Sequence, residues 1–415
     1  MEVCTFNMIK RVVVTGMGAV SPIGNDAKTF WENAQKGTCG IDYITRYDTE
    51  NFKVKIAAEV KDFNPLLYMD KGEVRRTDLY AQYAIAASAQ AMEDSGLKDN
   101  INPERLGVYF SSGIGGINTF YDDSVKLHTG GASKVSPYFI AMMIENIAAG
   151  IVAIKHNAQG PALTTVTACA SSTNSIGEAF RAIKFGYADA VIAGGSETGV
   201  HPLTNAGFAN CMALSKRNIP NDTSVPFDKR RDGFVAGEGG GAIVLEEYEH
   251  AKARGAKIYA EICGYGHTCD AHHITAPAPG GLGAARAIKQ AMEEAGITGD
   301  NLYINAHGTS TPLNDKSETA AIKAVLGEKA NKVLISSTKS MIGHCLGAAG
   351  ALEAIAAIMA IKDGIAPPTI GYKEPDPECD LDYVPNKARK AVINASLSTS
   401  MGFGGHNACI AFRKL

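Results

Sequence analysis

What most constrains this chain is an order of segments that occurs twice. The stretches AIAASAQAMEDSGL (84–97) and AARAIKQAMEEAGI (284–297) share an amphipathic pattern and an AME[DE]xG ending. Gly96 and Gly296 stand where a left-handed residue closes a helix. Each stretch leads into a strand with a polar loop, LGVYFSSGIGG in one case and LYINAHGTSTP in the other. A further strand, a loop and a small-residue helix follow, in TTVTACASSTNSIGEAFRAIKFG and then in SSTKSMIGHCLGAAGALEAIAAIMAIKDG. ADAVIAGGSE and KAVINASLSTS supply the next strand of each series. The repeated order implies an internal duplication that breaks near Arg254–Lys257, with halves 1–255 and 256–415.

Short β-branched runs alternate with longer helical patterns throughout, which predicts layered α/β structure. The expected strands are Arg11–Thr15, Leu106–Ser111, Ala162–Thr167, Ala190–Ala193, Ala242–Glu246, Lys257–Cys263, Leu302–Ala306, Val333–Ser336 and Ala391–Ser396. A chain of 415 residues accommodates two such units. Its formal charge of -3 gives no overall attraction to nucleic acid or anionic lipid. An acidic partner therefore has to meet a local basic patch. The nine cysteines lack the spacing of a disulfide framework, which points to a reducing cytoplasm. The opening MEVCTFNMIKRVVVTGMGAV reads as a first strand entering a turn rather than a signal peptide, and Met8 is an alternative start. No apolar run approaches a membrane span.

Among the nine cysteines, Cys169 has a distinctive setting. Ile176, Ala179, Phe180 and Ile183 fall at i, i+3, i+4 and i+7, so a helix is expected to begin near Ala170. Cys169 then lies at a strand-to-helix turn, where free N–H groups and the helix dipole favour a thiolate. Ala170, Ser171 and Ser172 leave room for a substrate, as in a nucleophile elbow built with sulfur. Cys4, Cys39, Cys211, Cys263, Cys269, Cys345, Cys379 and Cys409 are expected to be small buried hydrophobes. The related turns of the second half carry His307, in INAHGTSTPLND, and His344, in STKSMIGHCLGAAG. His344 precedes a helix stepping through Leu352, Ile355, Ala356 and Met359. An imidazole at a helix N-terminus is held neutral and donates a hydrogen bond without carrying charge.

TACASS, NAHGTSTPLND, STKSMIGHCLGAAG, SMGFGGHN and PFDKRRDGFVAGEGGG (226–241) together resemble the β-ketoacyl-[acyl carrier protein] synthases of the thiolase-like superfamily. The resemblance spans essentially the whole chain. It implies an internally duplicated α/β fold, layered α-β-α-β-α with two mixed five-stranded sheets. The Cys-His-His set points to the decarboxylating, elongating class, and Ile114 in SSGIGGI to its type II branch. By the same resemblance, Cys169 takes the acyl chain as a thioester, while His307 and His344 hold the malonyl thioester and stabilise the enolate formed on loss of CO2. Backbone N–H groups of Cys169 and Phe403 form the oxyanion hole. Phe403 gates the pocket, and Gly402, Gly404 and Gly405 let its loop approach closely and move. Lys339 and Glu353 are supporting charges near His344. Thr309 and Thr311 bind the pantetheine arm, Thr275 lines its tunnel, and Phe208 joins Ile114 as a substrate-binding residue. No cofactor is implied, because phosphopantetheine arrives on the acyl carrier protein. The implied partners are that carrier, docking in the region of Lys71, Arg75 and Arg76, and a second copy of the chain in a homodimer with pockets near the interface. His406 departs from the family's usual GFGGTN and bears on loop packing and chain-length preference.

Other readings compete with this one. VVVTGMGAVSPIG (12–24) has the start of a dinucleotide fingerprint, but Ser21 stands where the third glycine belongs. His267, Cys269, His272 and His273 in HTCDAHH crowd into one loop, whereas structural zinc sites usually draw on two separated pairs, so no metal is expected. A non-catalytic chain-length partner typically lacks the cysteine that is present here. A cysteine thioester hydrolase gives no reason for a second histidine or for the duplication. A specialised polyketide or polyene ketosynthase is the alternative within the same chemistry.

Overall fold

The computed structural model describes residues 9–415; Cys4 and Met8 lie outside them. The first half contributes β1 (Val12–Val20), β2 (Leu106–Ser111), β3 (Ala162–Leu163), β4 (Ala190–Thr198) and β5 (Glu238–Glu247), ordered β3-β2-β4-β5-β1 across the sheet. The second contributes β6 (Ala260–Cys269), β7 (Leu302–Asn305), β8 (Leu334–Ser336), β9 (Ala395–Gly402) and β10 (His406–Arg413), ordered β8-β7-β9-β10-β6. The second order is the first advanced by five. In each half the second strand pairs in parallel with the third and fourth, and the remaining pairs are antiparallel. β1 and β6 pair antiparallel from Val12↔Ile262 to Val14↔Ala260 and join the two mixed five-stranded halves into one continuous sheet.

Several strand limits differ from the sequence expectation. β3 covers only Ala162–Leu163 of the expected Ala162–Thr167, because the chain leaves the sheet to form the Cys169 turn. β10 was not anticipated. Its sequence HNACIAFR is buried on both faces from Asn407 to Phe412, so it lacks the alternation that marks a half-exposed strand.

Helices complete the five layers. α1 (Leu79–Ser95) covers β1, β5 and β4 on one outer face, and α3 (Leu282–Ala295) covers β6 and β10 on the other, with α4 (Pro312–Leu326) beside α3. Gly96 and Gly296 close α1 and α3 at φ 60 and 65, as expected of left-handed caps. Between the two halves of the sheet lie α2 (Ser171–Lys184) and α5 (Ala349–Asp363), in contact with each other. α5 is buried continuously from Ala349 to Ile361, so its apolar stripe is part of a helix that is apolar all round.

The G-x-G of β1 is a seat for a helix. A Cβ on Gly16 would stand 2.1 Å from the Ala91 carbonyl oxygen, and one on Gly18 would stand 2.1 Å from that of Ala87. In β6, Gly264 and Gly266 meet Ala291 and Ala287 of α3 in the same way, at 2.1 and 2.0 Å. The strand continues through both glycines to Val20, with a register shift between Val14 and Gly16 and no phosphate-binding turn. No helix among the described residues is long and apolar enough to cross a membrane. Gly266→Val should force α3 away from β6 and cost about 1–3 kcal/mol, read as a lowered midpoint in urea unfolding.

Candidate active site

Cys169 sits in a tight turn, Ala168–Ala170, and α2 follows from Ser171. Ala168 adopts φ 51, a left-handed conformation costly for a residue with a Cβ. Ser171 holds the turn: its Oγ donates to the Ala168 carbonyl at 2.7 Å and accepts from the Thr167 N–H at 2.9 Å. In the second half Leu346, at φ 47, opens the matching turn before α5. The counterpart of Cys169 is therefore Gly347, and His344 lies three residues earlier.

The β9–β10 hairpin closes over this turn. Gly402 pairs with His406 across it, leaving Phe403, Gly404 and Gly405 at the tip. A Cβ on Gly402 would stand 2.5 Å from the Thr167 carbonyl and 3.2 Å from the Cys169 nitrogen, so only glycine permits the approach. That approach directs the Phe403 N–H at the Cys169 sulfur. Gly404 and Gly405 take φ 89 and 78, and the His406 ring lies 3.0 Å from where a Gly404 Cβ would be. The tip is tied to the 269–276 segment, with the Gly404 N–H donating to Ile274 and the Asp270 N–H to Gly405. Asn407 donates to the Asp270 carboxylate at 2.8 Å.

His307 follows β7. Its backbone N–H donates to Glu318 of α4 at 2.8 Å, and the Gly308 N–H donates to the other oxygen of the same carboxylate at 2.8 Å. Lys339 lies 3.3 Å from His307 Nδ1 and forms a buried pair with Glu353. An ammonium only donates, so Nδ1 accepts and the His307 proton is on Nε2. His344 Nδ1 accepts from the Leu346 N–H at 3.3 Å, which puts its proton on Nε2 as well. That Nε2 is buried and has no partner within the protein. The two rings are 5.3 Å apart and nearly perpendicular. Of the supporting charges expected near His344, Lys339 makes its direct contact with His307, and Glu353 with Lys339.

Burial, followed by the Lys339 charge, holds both imidazoles well below the ordinary value of 6.5. They are neutral as expected, but desolvation and a lysine are the causes rather than a helix N-terminus. The thiolate expectation for Cys169 is corrected. Burial pushes its thiol up to about 12, against the downward pull of Lys339. The sulfur is a thiol at rest, with the Phe403 N–H directed at it.

These groups line one cavity of about 380 Å³: Cys169, His307 and His344, the Phe403 tip, and Thr275, Thr309, Thr311 and Phe208. Thr309 and Thr311 share a hydrogen bond of 2.9 Å. Ile114 is outside the lining and packs with Cys169, Phe208 and Leu346 in an adjacent apolar cluster. Lys71 and Arg75 lie on an exposed five-residue helix ending at Arg76, away from the cavity lining. Sequence reasoning missed Asp270 and Asn407, which line the cavity, and Glu318, which holds the His307 backbone. Asp270 and Asn407 bond each other across 137 residues of sequence, and Glu318 sits on the helix that follows His307, eleven residues on, with no local pattern to mark it.

All eight described cysteines are free thiols. Cys211 and Cys269 are exposed and Cys39 half-buried, contrary to the buried reading, and Cys211 borders the cavity. In HTCDAHH, His267 stacks on Tyr265 while His273 Nδ1 accepts from the Thr275 and Ala276 N–H groups. Among the described residues no three His, Cys, Asp or Glu side chains gather into a metal-holding group.

A doubled five-layer α/β fold with this Cys-His-His cavity defines a thiolase-like condensing enzyme. Residues 9–251 match the model for the beta-ketoacyl synthase N-terminal domain, and residues 259–373 match that for its C-terminal domain. The chain is 51% identical over 408 residues to 3-oxoacyl-[acyl-carrier-protein] synthase 2 of Synechocystis sp., covering 98% of each chain. It is 53% identical over 407 residues to the protein of the same name from Staphylococcus aureus, again covering 98% of each. Among solved structures, the ishigamide ketosynthase/chain length factor superposes with a TM-score of 0.92 at 36% identity, covering 98% of this chain and 99% of that one. A type II polyketide acyl-carrier protein in complex with its ketosynthase matches with a TM-score of 0.91 at 36% identity, covering 98% and 100%. The chain belongs to the type II β-ketoacyl synthase family, the condensing enzymes of fatty-acid and polyketide synthesis.

Two titrations follow from the burial of these groups. Alkylation of Cys169 by iodoacetamide should still be accelerating at about pH 9; a plateau near neutrality would contradict a neutral thiol. Below 6.5 the unfolded chain takes up protons that His307 and His344 refuse, so stability falls as pH falls. Replacing both with Asn should flatten that slope, by at most about 1.4 kcal/mol per pH unit for each histidine, in denaturation curves compared with the parent.

Proposed function

We propose that this enzyme elongates fatty acyl chains, condensing a Cys169-bound acyl group with malonyl-[acyl carrier protein] to give 3-oxoacyl-[acyl carrier protein], CO2 and free carrier. The observation that carries this reading is the pair of buried neutral imidazoles, His344 with its Nε2 proton unpartnered within the protein, lining one cavity with the Cys169 thiol. In the first step the Cys169 sulfur attacks the acyl thioester, and the carrier thiol leaves with the proton. In the second, the malonyl C–CO2 bond breaks and its electron pair passes to the thioester oxygen as an enolate. His307 and His344 donate Nε2–H to that oxygen, where charge appears only as the bond breaks. The enolate carbon then attacks the Cys169 thioester. The tetrahedral oxyanion is received by the N–H groups of Cys169 and Phe403, and its collapse releases the sulfur, which regains a proton.

Lys339 is assigned to fixing the tautomer of His307, and Glu353 to holding Lys339. Thr309, Thr311 and Thr275 are assigned to the pantetheine arm. Phe403 is the gate, swinging on Gly402, Gly404 and Gly405, with His406 against its pivot. Ile114 and Phe208 border the acyl chain. The half 1–255 thus supplies the nucleophile and 256–415 the histidines. The carrier protein is the partner, met through Lys71, Arg75 and Arg76, and the enzyme works as a cytoplasmic homodimer. Fatty-acid elongation is favoured over a specialised polyketide pathway by the 51% and 53% identities to enzymes named 3-oxoacyl-[acyl-carrier-protein] synthase 2, against 36% for the polyketide ketosynthases.

Incubation with acyl carrier substrate should add one acyl mass at Cys169, seen by mass spectrometry. An adduct that persists in Cys169→Ala would overturn the mechanism. His344→Ala should keep acylation and lose CO2 release from malonyl carrier by about 10²–10³-fold; undiminished release would remove His344 from its role.

A further inference from the structure

Beneath the Cys169 turn lies a buried carboxylate that the condensation itself does not use. Glu197, near the end of β4, is fully buried. Among the described residues no cation lies within salt-bridge distance of it. It receives four donors instead. Ser112 Oγ and the Ile114 N–H reach Oε1 at 2.8 and 3.3 Å, and the Gly113 and Gly347 N–H groups reach Oε2 at 2.7 and 3.0 Å. Burial raises this carboxyl to about 7 and the donors oppose the rise.

The donors come from two segments that only the fold brings together. Ser112–Ile114 is the loop after β2 in the first half, and Gly347 belongs to the second-half turn that matches the Cys169 turn. The two glycines meet across the carboxylate: a Cβ on either would stand 2.8 Å from Oε2, and one on Gly347 would stand 2.3 Å from the Gly113 nitrogen. Neither segment can shift without giving up a hydrogen bond to Glu197. Each also carries one apolar side chain, Ile114 and Leu346, into the cluster that holds Cys169 and Phe208.

We infer that Glu197 is a positioning residue for acyl-chain selection, holding Ile114 and Leu346 at a set separation on either side of the Cys169-bound chain. This rests on the reading that Cys169 carries the acyl group. An apolar pair held by backbone anchors discriminates chains by length and width. Loosening the Ser112–Ile114 anchor changes which chains fit, whereas loosening the Gly347 anchor also disturbs the Leu346 N–H that His344 Nδ1 accepts.

The test compares the parent enzyme with Glu197→Gln and Ser112→Ala. kcat/KM is measured for carriers loaded with hexanoyl, decanoyl and hexadecanoyl groups, and CO2 release from malonyl carrier is followed separately. In Glu197→Gln an amide N–H faces two donors, and the ratio of long-chain to short-chain kcat/KM should shift by about tenfold. Ser112→Ala removes one donor, from the Ile114 segment only, and should shift the ratio in the same direction by a smaller factor, with CO2 release within about twofold of the parent. Equal losses at all three chain lengths, or a loss confined to CO2 release, would overturn the inference. If Glu197→Gln does not fold, Ser112→Ala decides: a shifted ratio supports the inference and an unchanged one overturns it. A parent enzyme that condenses none of the acyl carriers would instead defeat the functional reading, and the inference with it.

Discussion

The contact between α2 and α5 governs everything around the site. These helices cross between the two halves of the sheet, close enough that a Cβ on Gly350 would stand 2.0 Å from the Thr173 hydroxyl. Ser172 accepts the Ala351 N–H at 3.0 Å, so the first turns of the two helices are bonded together. Side chains larger than glycine, alanine, serine or threonine here would separate the helices. The two preceding turns would separate with them, one carrying Cys169 and the other closing over His344.

Charge is arranged around that contact with unusual economy. Lys339 and Glu353 are almost wholly removed from water. A buried ion pair seldom adds net stability compared with apolar packing. Its observable consequence is the state of His307: an ammonium at Nδ1 dictates the tautomer and keeps a second proton off the ring. His344 reaches the same tautomer through a backbone N–H. Two independent devices thus present two neutral donors, while the same burial keeps Cys169 protonated. Cys169, His307 and His344 are all uncharged at rest, with the Lys339–Glu353 pair beside them.

Much of this was legible in the sequence. The duplication appeared in repeated helix endings, and the strand order, advanced by five, has that form. Cys169, His307 and His344 were singled out because each stands between a strand and a following helix beside glycine or small residues, a local signal. The glycine pairs of β1 and β6 were a further mark of the duplication, but TGMG resembled a nucleotide turn because the helix that fills its surface lies about seventy residues away. β10 was missed because burial on both faces erases alternation. The protonation states were misjudged in cause for the histidines and in direction for the cysteine. Desolvation depends on what covers a group, and that cover comes from β9, β10 and α5.

The sequence by itself determined the periodicities, the glycine caps, the small-residue helices and the choice of Cys169, His307 and His344 as candidates, because these depend on neighbours within a few residues. Only the tertiary structure decided which backbone N–H faces the sulfur, which carboxylate holds which loop, and which imidazole nitrogen carries the proton. The first two are set by partners roughly eighty to two hundred and thirty residues away for Glu197, Gly347 and Phe403, at separations where no local pattern survives. The His307 proton is set by Lys339, from the next strand–helix connection. A hydrogen bond is decided over about 3 Å, and distances of that size exist only once the two halves have closed on each other.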